Sequence, residues 1–178
     1  MRAFVILAEG FEEIEAFTVI DVLRRAKIDT ASVGLISKVV SGAHGITTMA
    51  EYVLSDIKPD NFDMVILPGG DPGYRNLANS EKVLSIVKDY NKKRKFIAAI
   101  CAAPYVLAKA GVLDDKIATI YPGMESKIPK PRDAKVVVHD NIITSKSPGT
   151  AMDFAVKLAE ILAGKAAARK VSNDLVLS

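Results

Sequence analysis

Short, unbroken apolar runs recur along this chain with segments of helical period between them, and that alternation decides what it can fold into. Residues 3–8, 30–36, 64–67, 96–100, 136–138 and 142–144 read as strands. Most carry apolar side chains on both alternating faces, so both faces must be covered. That is the condition of a mostly parallel sheet held between two helical layers. Residues 11–26, 80–91, 103–110 and 151–163 have the spacing of amphipathic helices and supply the covering. Two stretches break the pattern. Residues 45–54 read as a small hairpin insert, and residues 117–132, rich in Pro and Gly, as an irregular excursion. Asp140-Asn141 sits between two strand-like runs as a hairpin turn. With 178 residues, 49% of them hydrophobic, and no repeat or linker, residues 1–178 are expected to form one domain.

Charge and cysteine content narrow the function. The 24 basic and 21 acidic residues give a formal charge of +3, too small and too scattered to argue for nucleic acid or an anionic membrane. The chain enters a strand at Arg2 with no apolar signal-like region, and no apolar stretch is long enough to span a bilayer. One cysteine allows no internal disulfide, which fits a reducing cytoplasm. One Cys and two separated His give no metal-ligand spacing, so no metal is expected. No G-x-G-x-x-G follows a strand and there is no Walker lysine, so no nucleotide cofactor is implied.

In open α/β sheets, ligands bind at the carboxyl ends of the strands. Four segments fall there: Glu9-Gly10, Pro68-Gly69-Gly70-Asp71, Cys101-Ala102 and residues 145–150. Cys101 lies between the strand at 96–100 and the helix at 103–110, with Ala99 and Ala103 two positions away on either side. Small residues there allow the sharp turn of a nucleophile elbow. A thiol at the positive end of a helix is expected to favour thiolate; a buried structural cysteine is the alternative.

Glu15 falls within a stripe formed by Phe11, Ile14, Thr18, Val19 and Val22. A core-facing carboxyl is costly unless paired or protonated, so it reads either as a protonated partner for an anion or as an edge residue. Glu12 and Glu13, in the first helical turn, read as structural complements of the helix dipole. Gly69 and Gly70 expose backbone N–H groups, and the amides of Gly70 and Ala102 could form an oxyanion hole beside the sulfur. Thr150 and Asp153 read as a capping box, with Pro148 and Gly149 walling the pocket. His139 ends a strand and reads as surface; His44 lies in a Gly-rich loop and could serve site or surface.

The segments Ala8-Glu9-Gly10-Phe11-Glu12-Glu13-Ile14-Glu15, Leu67-Pro68-Gly69-Gly70, Ala98-Ala99-Ile100-Cys101-Ala102-Ala103-Pro104 and Ser147-Pro148-Gly149-Thr150 together resemble the ThiJ/PfpI superfamily, in its deglycase- and chaperone-type branch. The resemblance runs in order over almost the whole chain. It implies a flavodoxin-like α/β/α sandwich of the class I glutamine amidotransferase type, a homodimer, and a reactive Cys101 paired with a protonated Glu15. It implies small reactive carbonyls, glycated adducts or misfolded proteins as partners, and no cofactor. Several glyoxalase-active members place a histidine where this chain has Tyr121, and His44 stands where relatives carry an arginine. The protease branch has a histidine at the position of Ala102, which argues against proteolysis. Two functions follow from the resemblance: thiolate attack on methylglyoxal or a glycated adduct, or oxidation of Cys101 to sulfinic acid in a redox sensor or chaperone.

Overall fold

The computed structural model describes residues 1–177. Its elements are β1 (Arg2–Leu7), α1 (Glu13–Arg25), β2 (Asp29–Gly34), β3 (Val39–Ser41), β4 (Thr47–Met49), β5 (Tyr52–Val53), β6 (Met64–Leu67), α2 (Gly73–Ala78), α3 (Glu81–Lys92), β7 (Phe96–Ile100), α4 (Pro104–Lys109), β8 (Val136–His139), β9 (Ile142–Ser145), α5 (Ala151–Ala163) and α6 (Lys165–Asp174). The main sheet runs β5-β2-β1-β6-β7-β9-β8, with every pairing parallel except that of β8 with β9.

The alternating side chains of the central strands feed two separate cores. Phe4, Ile6, Val65, Leu67, Ile97 and Ala99 face α2, α3 and α4. Ala3, Val5, Met64, Ile66, Ala98 and Ile100 face α1, α5 and α6. The chain is therefore a three-layer α/β/α sandwich, and α3 and α5 fall where their apolar spacing places them. Ser80 caps α3 through its hydroxyl, which accepts from the Val83 N–H.

Several local expectations are corrected. The hairpin insert starts earlier than residue 45: β3 pairs antiparallel with β4, and β5 joins the main sheet beside β2. Two helices, α2 and α6, go beyond the sequence reading. On α1, Ile14 is 58% exposed. The buried stripe is Glu15, Ala16, Val19, Val22 and Leu23, one step round the helix from the expected one. Thr150 makes no capping bond with Asp153, whose carboxylate pairs with Lys135 at 3.3 Å. Its hydroxyl instead accepts from the Ser147 N–H at 3.1 Å, closing the loop before α5.

The loops after β1 and β6 are knitted together. The Glu12 N–H donates to the Gly69 carbonyl at 3.0 Å, and the Gly73 N–H to the Gly10 carbonyl at 3.1 Å. Gly70 has φ +88°, and a Cβ there would strike the Gly10 carbonyl oxygen and the Glu12 nitrogen. Gly70→Ala is expected to lower the unfolding free energy by about 2–4 kcal/mol, from left-handed strain plus backbone displacement. Urea denaturation measures it, and a loss under about 0.5 kcal/mol would mean the loops are not held this closely.

Candidate active site

Four loops at the carboxyl ends of the strands converge on the one cysteine. Cys101 has φ +63°, a left-handed conformation unusual for a residue with a side chain. Its N–H donates to the Ser145 carbonyl at 3.0 Å, and its carbonyl accepts from the Tyr121 N–H at 2.8 Å. The cysteine thereby ties β9 to the irregular excursion, while Ala99 and Ala103 are fully buried beside it. Its side chain is 8% exposed, at the floor of a cleft.

Glu15 reaches this point from the first turn of α1 and is completely buried. Its Oε2 accepts from the Gly69 N–H at 2.7 Å. Its Oε1 is buried without a hydrogen-bond partner of ordinary geometry, although the Cys101 thiol lies close enough for the two groups to perturb each other. Burial pushes the carboxyl up to about 7; the Gly69 N–H and the Cys101 thiol pull the other way, and the charge of Glu12 pushes it further up. An acceptor-only carboxylate leaves Oε1 idle, whereas a proton on it turns that buried oxygen into a donor.

The thiol departs from expectation. Its pKa is pushed up, not down: burial leads, followed by the charge of Glu15 and its hydrogen bond, while the Ala102 and Gly70 N–H groups pull down. The helix that follows has only six residues, too few for a macrodipole to outweigh that burial. Glu15 and Cys101 therefore act as one unit. The carboxyl gives up its proton first, near 7, and its charge then helps to hold the proton on the sulfur. Gly69 leaves the room for this contact, since a Cβ there would sit 2.8 Å from the Cys101 Cβ and 3.0 Å from Glu15 Oε2.

Above the sulfur lies a cavity of about 490 Å³, lined by Gly70, Cys101, Ala102 and Tyr121 and further out by Tyr74, Arg75, Met124 and Lys127. The last four were not legible as site residues. Tyr74 and Arg75 lie on α2, a six-residue helix directly after Gly69-Gly70-Asp71-Pro72, and Met124 and Lys127 lie in the excursion. Pro148, Gly149 and His44 do not line this cavity.

His44 is engaged elsewhere. Its Nδ1 lies 2.9 Å from Glu13 Oε2, and its backbone N–H donates to Glu13 Oε1 at 2.8 Å. Hydrogen bonding to Glu13 pushes the imidazole pKa up. Burial pushes Glu13 up, but the bonds from His44 and Ile46 outweigh it and hold the carboxyl below its ordinary value. Glu13 thus clamps the β3–β4 loop, a tertiary role beyond the helix dipole. Glu12 caps α1, its Oε2 accepting from the Glu15 N–H at 2.7 Å. Donor atoms of Glu12, Glu13 and His44 lie within 4.8 Å of one another, a grouping that residue spacing did not reveal. Among the described residues it is the set able to hold a metal ion, but Glu13 already spends both oxygens on the loop. His139 accepts from the Ile117 N–H at 2.9 Å and anchors the start of the excursion.

Residues 1–161 match the model of the DJ-1/PfpI family. Protein dj-1beta of Drosophila melanogaster is 41% identical over 99% of this chain and 97% of its own length. Its crystal structure superposes with a TM-score of 0.96 at 40% identity, covering 99% of this chain and 98% of that one. The structure of oxidized Toxoplasma gondii DJ-1 gives a TM-score of 0.95 at 32% identity, covering 98% of this chain and 97% of that one. A Caenorhabditis elegans relative named glutathione-independent glyoxalase DJR-1.2 is 35% identical over 96% of this chain and 92% of its own length.

The Glu15–Cys101 unit sets a pH dependence. Alkylation of Cys101 by iodoacetamide is expected to be slow at pH 7 and to rise with a midpoint above that of an ordinary thiol, because burial and the Glu15 charge hold the thiol proton. In Glu15→Gln the charge and the hydrogen bond that push the thiol up are gone, so the rate at pH 7 should rise and the midpoint move down. A variant that reacts like wild type would break the pairing. Stability carries the same signature. The carboxyl's folded value lies above its unfolded one, so its contribution is fully present below about pH 4.5 and lost as pH rises through about 7. The loss is of order 3 kcal/mol, and Glu15→Gln should abolish that slope in denaturation curves.

Proposed function

Because this chain belongs to the DJ-1/PfpI family, we propose that it is a cysteine-dependent, glutathione-independent glyoxalase-type enzyme acting on methylglyoxal and related glycated adducts. The observation that carries the reading is the buried carboxyl of Glu15, close enough to the one thiol for each to shift the other, with the Gly70 and Ala102 N–H groups at the sulfur. Cys101 attacks the aldehyde carbon. The S–C bond forms as the carbonyl electron pair moves to oxygen, and the thiol proton passes through Glu15 to that oxygen, giving a hemithioacetal. The Gly70 and Ala102 N–H groups hold the developing negative charge. Glu15 then removes the proton on the thiol-bearing carbon and returns it to the neighbouring carbonyl carbon, while the hydroxyl proton passes to the former ketone oxygen, leaving a thioester next to a carbinol. Water cleaves the thioester and restores the thiol. One methylglyoxal and one water give one lactic acid, with no cofactor consumed.

Tyr121 lines the cavity and neither histidine of the chain does, so Glu15 alone must relay every proton. Turnover is therefore expected below about 10 s⁻¹, a median enzyme rate. Methylglyoxal conversion to lactate without glutathione should be measurable for wild type and vanish in Cys101→Ser. No conversion by wild type would reject the enzymatic reading.

One observation favours a second role, as a redox sensor or redox-regulated chaperone. A protonated Oε1 without a partner is placed to donate to an oxygen added to sulfur, and a structural relative is described as oxidized. Two peroxides would take Cys101 through sulfenic to sulfinic acid, releasing one water each. Intact mass after low peroxide should show a gain of two oxygens that Glu15→Gln makes harder to reach. A homodimer is also proposed. The exposed apolar side chains of Ile14, Ile46 and Met49 flank the Glu13–His44 clamp and suit a second copy, which sedimentation equilibrium would detect.

A further inference from the structure

The cleft over Cys101 continues outward. Its outer residues Tyr74, Arg75, Met124 and Lys127 also line an adjoining cavity of about 380 Å³ that extends to Tyr105. Tyr74 and Tyr105 meet edge to face with ring centres 6.1 Å apart, and the Arg75 guanidinium lies 5.2 Å from the centre of the Tyr74 ring. A three-carbon dicarbonyl held at the sulfur leaves this outer half of the cleft to water.

The charges of the outer half do not cancel. Asp71 grips Arg75 with two bonds, at 2.8 and 2.9 Å, so that pair is internally neutral. Lys127 has no ion pair among the described residues, although it lines both cavities. The neighbouring acid, Glu125, accepts from the Gly123 N–H and lines a separate cavity. Beside the Asp71–Arg75 pair, the aromatic rings and Met124, the cleft wall therefore carries one cation without an ion-pair partner among the described residues. Lys127 is exposed at the mouth of the cleft, so an anion reaches it without desolvating a buried charge, and a charge-assisted hydrogen bond there exceeds a neutral one in strength.

We propose that Lys127 makes the Cys101 cleft selective for 2-oxoaldehydes that carry an anionic substituent, the aldehyde meeting the sulfur and the carboxylate or phosphate meeting the ammonium group. This rests on the glyoxalase-type reading above. The reaction balance is unchanged: an anionic 2-oxoaldehyde and one water give the corresponding 2-hydroxy acid, and the anionic group is a spectator. Arg75, held by Asp71 and laid against Tyr74, shapes the wall beside it.

The test compares 4,5-dioxopentanoate with methylglyoxal, following 2-hydroxyglutarate and lactate without added thiol. Wild type should show the higher kcat/KM on the charged substrate. In Lys127→Met the ratio of the two kcat/KM values should fall about tenfold, the size of one charged hydrogen bond, and Lys127→Arg should restore it. Added salt should lower the wild-type ratio in the same direction. A ratio that Lys127→Met leaves unchanged overturns the proposal. A second readout does not depend on turnover, because the chain has one thiol: the rate of Cys101 alkylation by anionic iodoacetate relative to neutral iodoacetamide. That relative rate should drop in Lys127→Met. If wild type turns over neither oxoaldehyde while the alkylation ratio still drops, the glyoxalase reading falls and the anion-selective cleft stands. If the alkylation ratio does not move, the anion selectivity falls even where methylglyoxal is turned over.

Discussion

A completely buried carboxyl, Glu15, holds the site together, and its bond to the Gly69 N–H joins the helix after β1 to the loop after β6. Burying an ionised carboxylate on one hydrogen bond is unfavourable, and the molecule answers by raising its pKa to about 7 rather than by supplying a cation. Everything near it is arranged to tolerate that choice. Gly69 has no side chain to separate carboxyl from thiol, and Gly70 lets two loops cross at backbone contact. Glu12 caps the helix that carries Glu15 but adds a negative charge that keeps the proton on it.

The cysteine depends on the same arrangement from the other side. Its left-handed backbone is held by β9 through Ser145 and by the excursion through Tyr121, so two segments distant in sequence fix one residue. Strain of this kind persists only where the surroundings over-determine it. An elbow held this firmly presents the sulfur to the cavity regardless of what lines the outer walls. The buried sulfur cannot ionise on its own strength, because burial works against it as it does against Glu15. Reactivity therefore belongs to the pair.

Much of this was legible in the residues, for definite reasons. The strands at 64–67 and 96–100 and the helix at 151–163 have the bounds that their apolar runs dictate, because they lie at the centre of the sheet or against it. Glu15 stood out because a carboxyl interrupted an apolar stripe, yet the stripe was drawn one step off. Ile14 counts as apolar in the sequence but faces outward, while the acid heads the buried row. Helix α6 escaped notice because only Ala168 and Val171 are buried on it, too few to give a period. The β3 strand merges in sequence with the tail of β2, so the hairpin was placed too late. The direction of the thiol's shift was missed because a helix start is visible in sequence and depth of burial is not. The role of Glu13 was underestimated for a related reason: its partners, His44 and Ile46, lie some thirty residues away.

The cleft is made of two kinds of material. Around the sulfur the chemistry is presented by backbone, the N–H groups of Gly69, Gly70 and Ala102, together with one carboxyl whose position the fold dictates. Side chains that change there meet steric refusal, as the absent Cβ atoms of Gly69 and Gly70 make plain. The outer end is presented mainly by side chains, from a six-residue helix and an irregular segment, and none of Tyr74, Arg75, Met124 and Lys127 donates a backbone N–H to Cys101. A chain built this way can change what it admits without disturbing what it does. On the proposed chemistry, substrate choice resides in that outer wall, and Lys127 is where a single charge would have the largest effect on it.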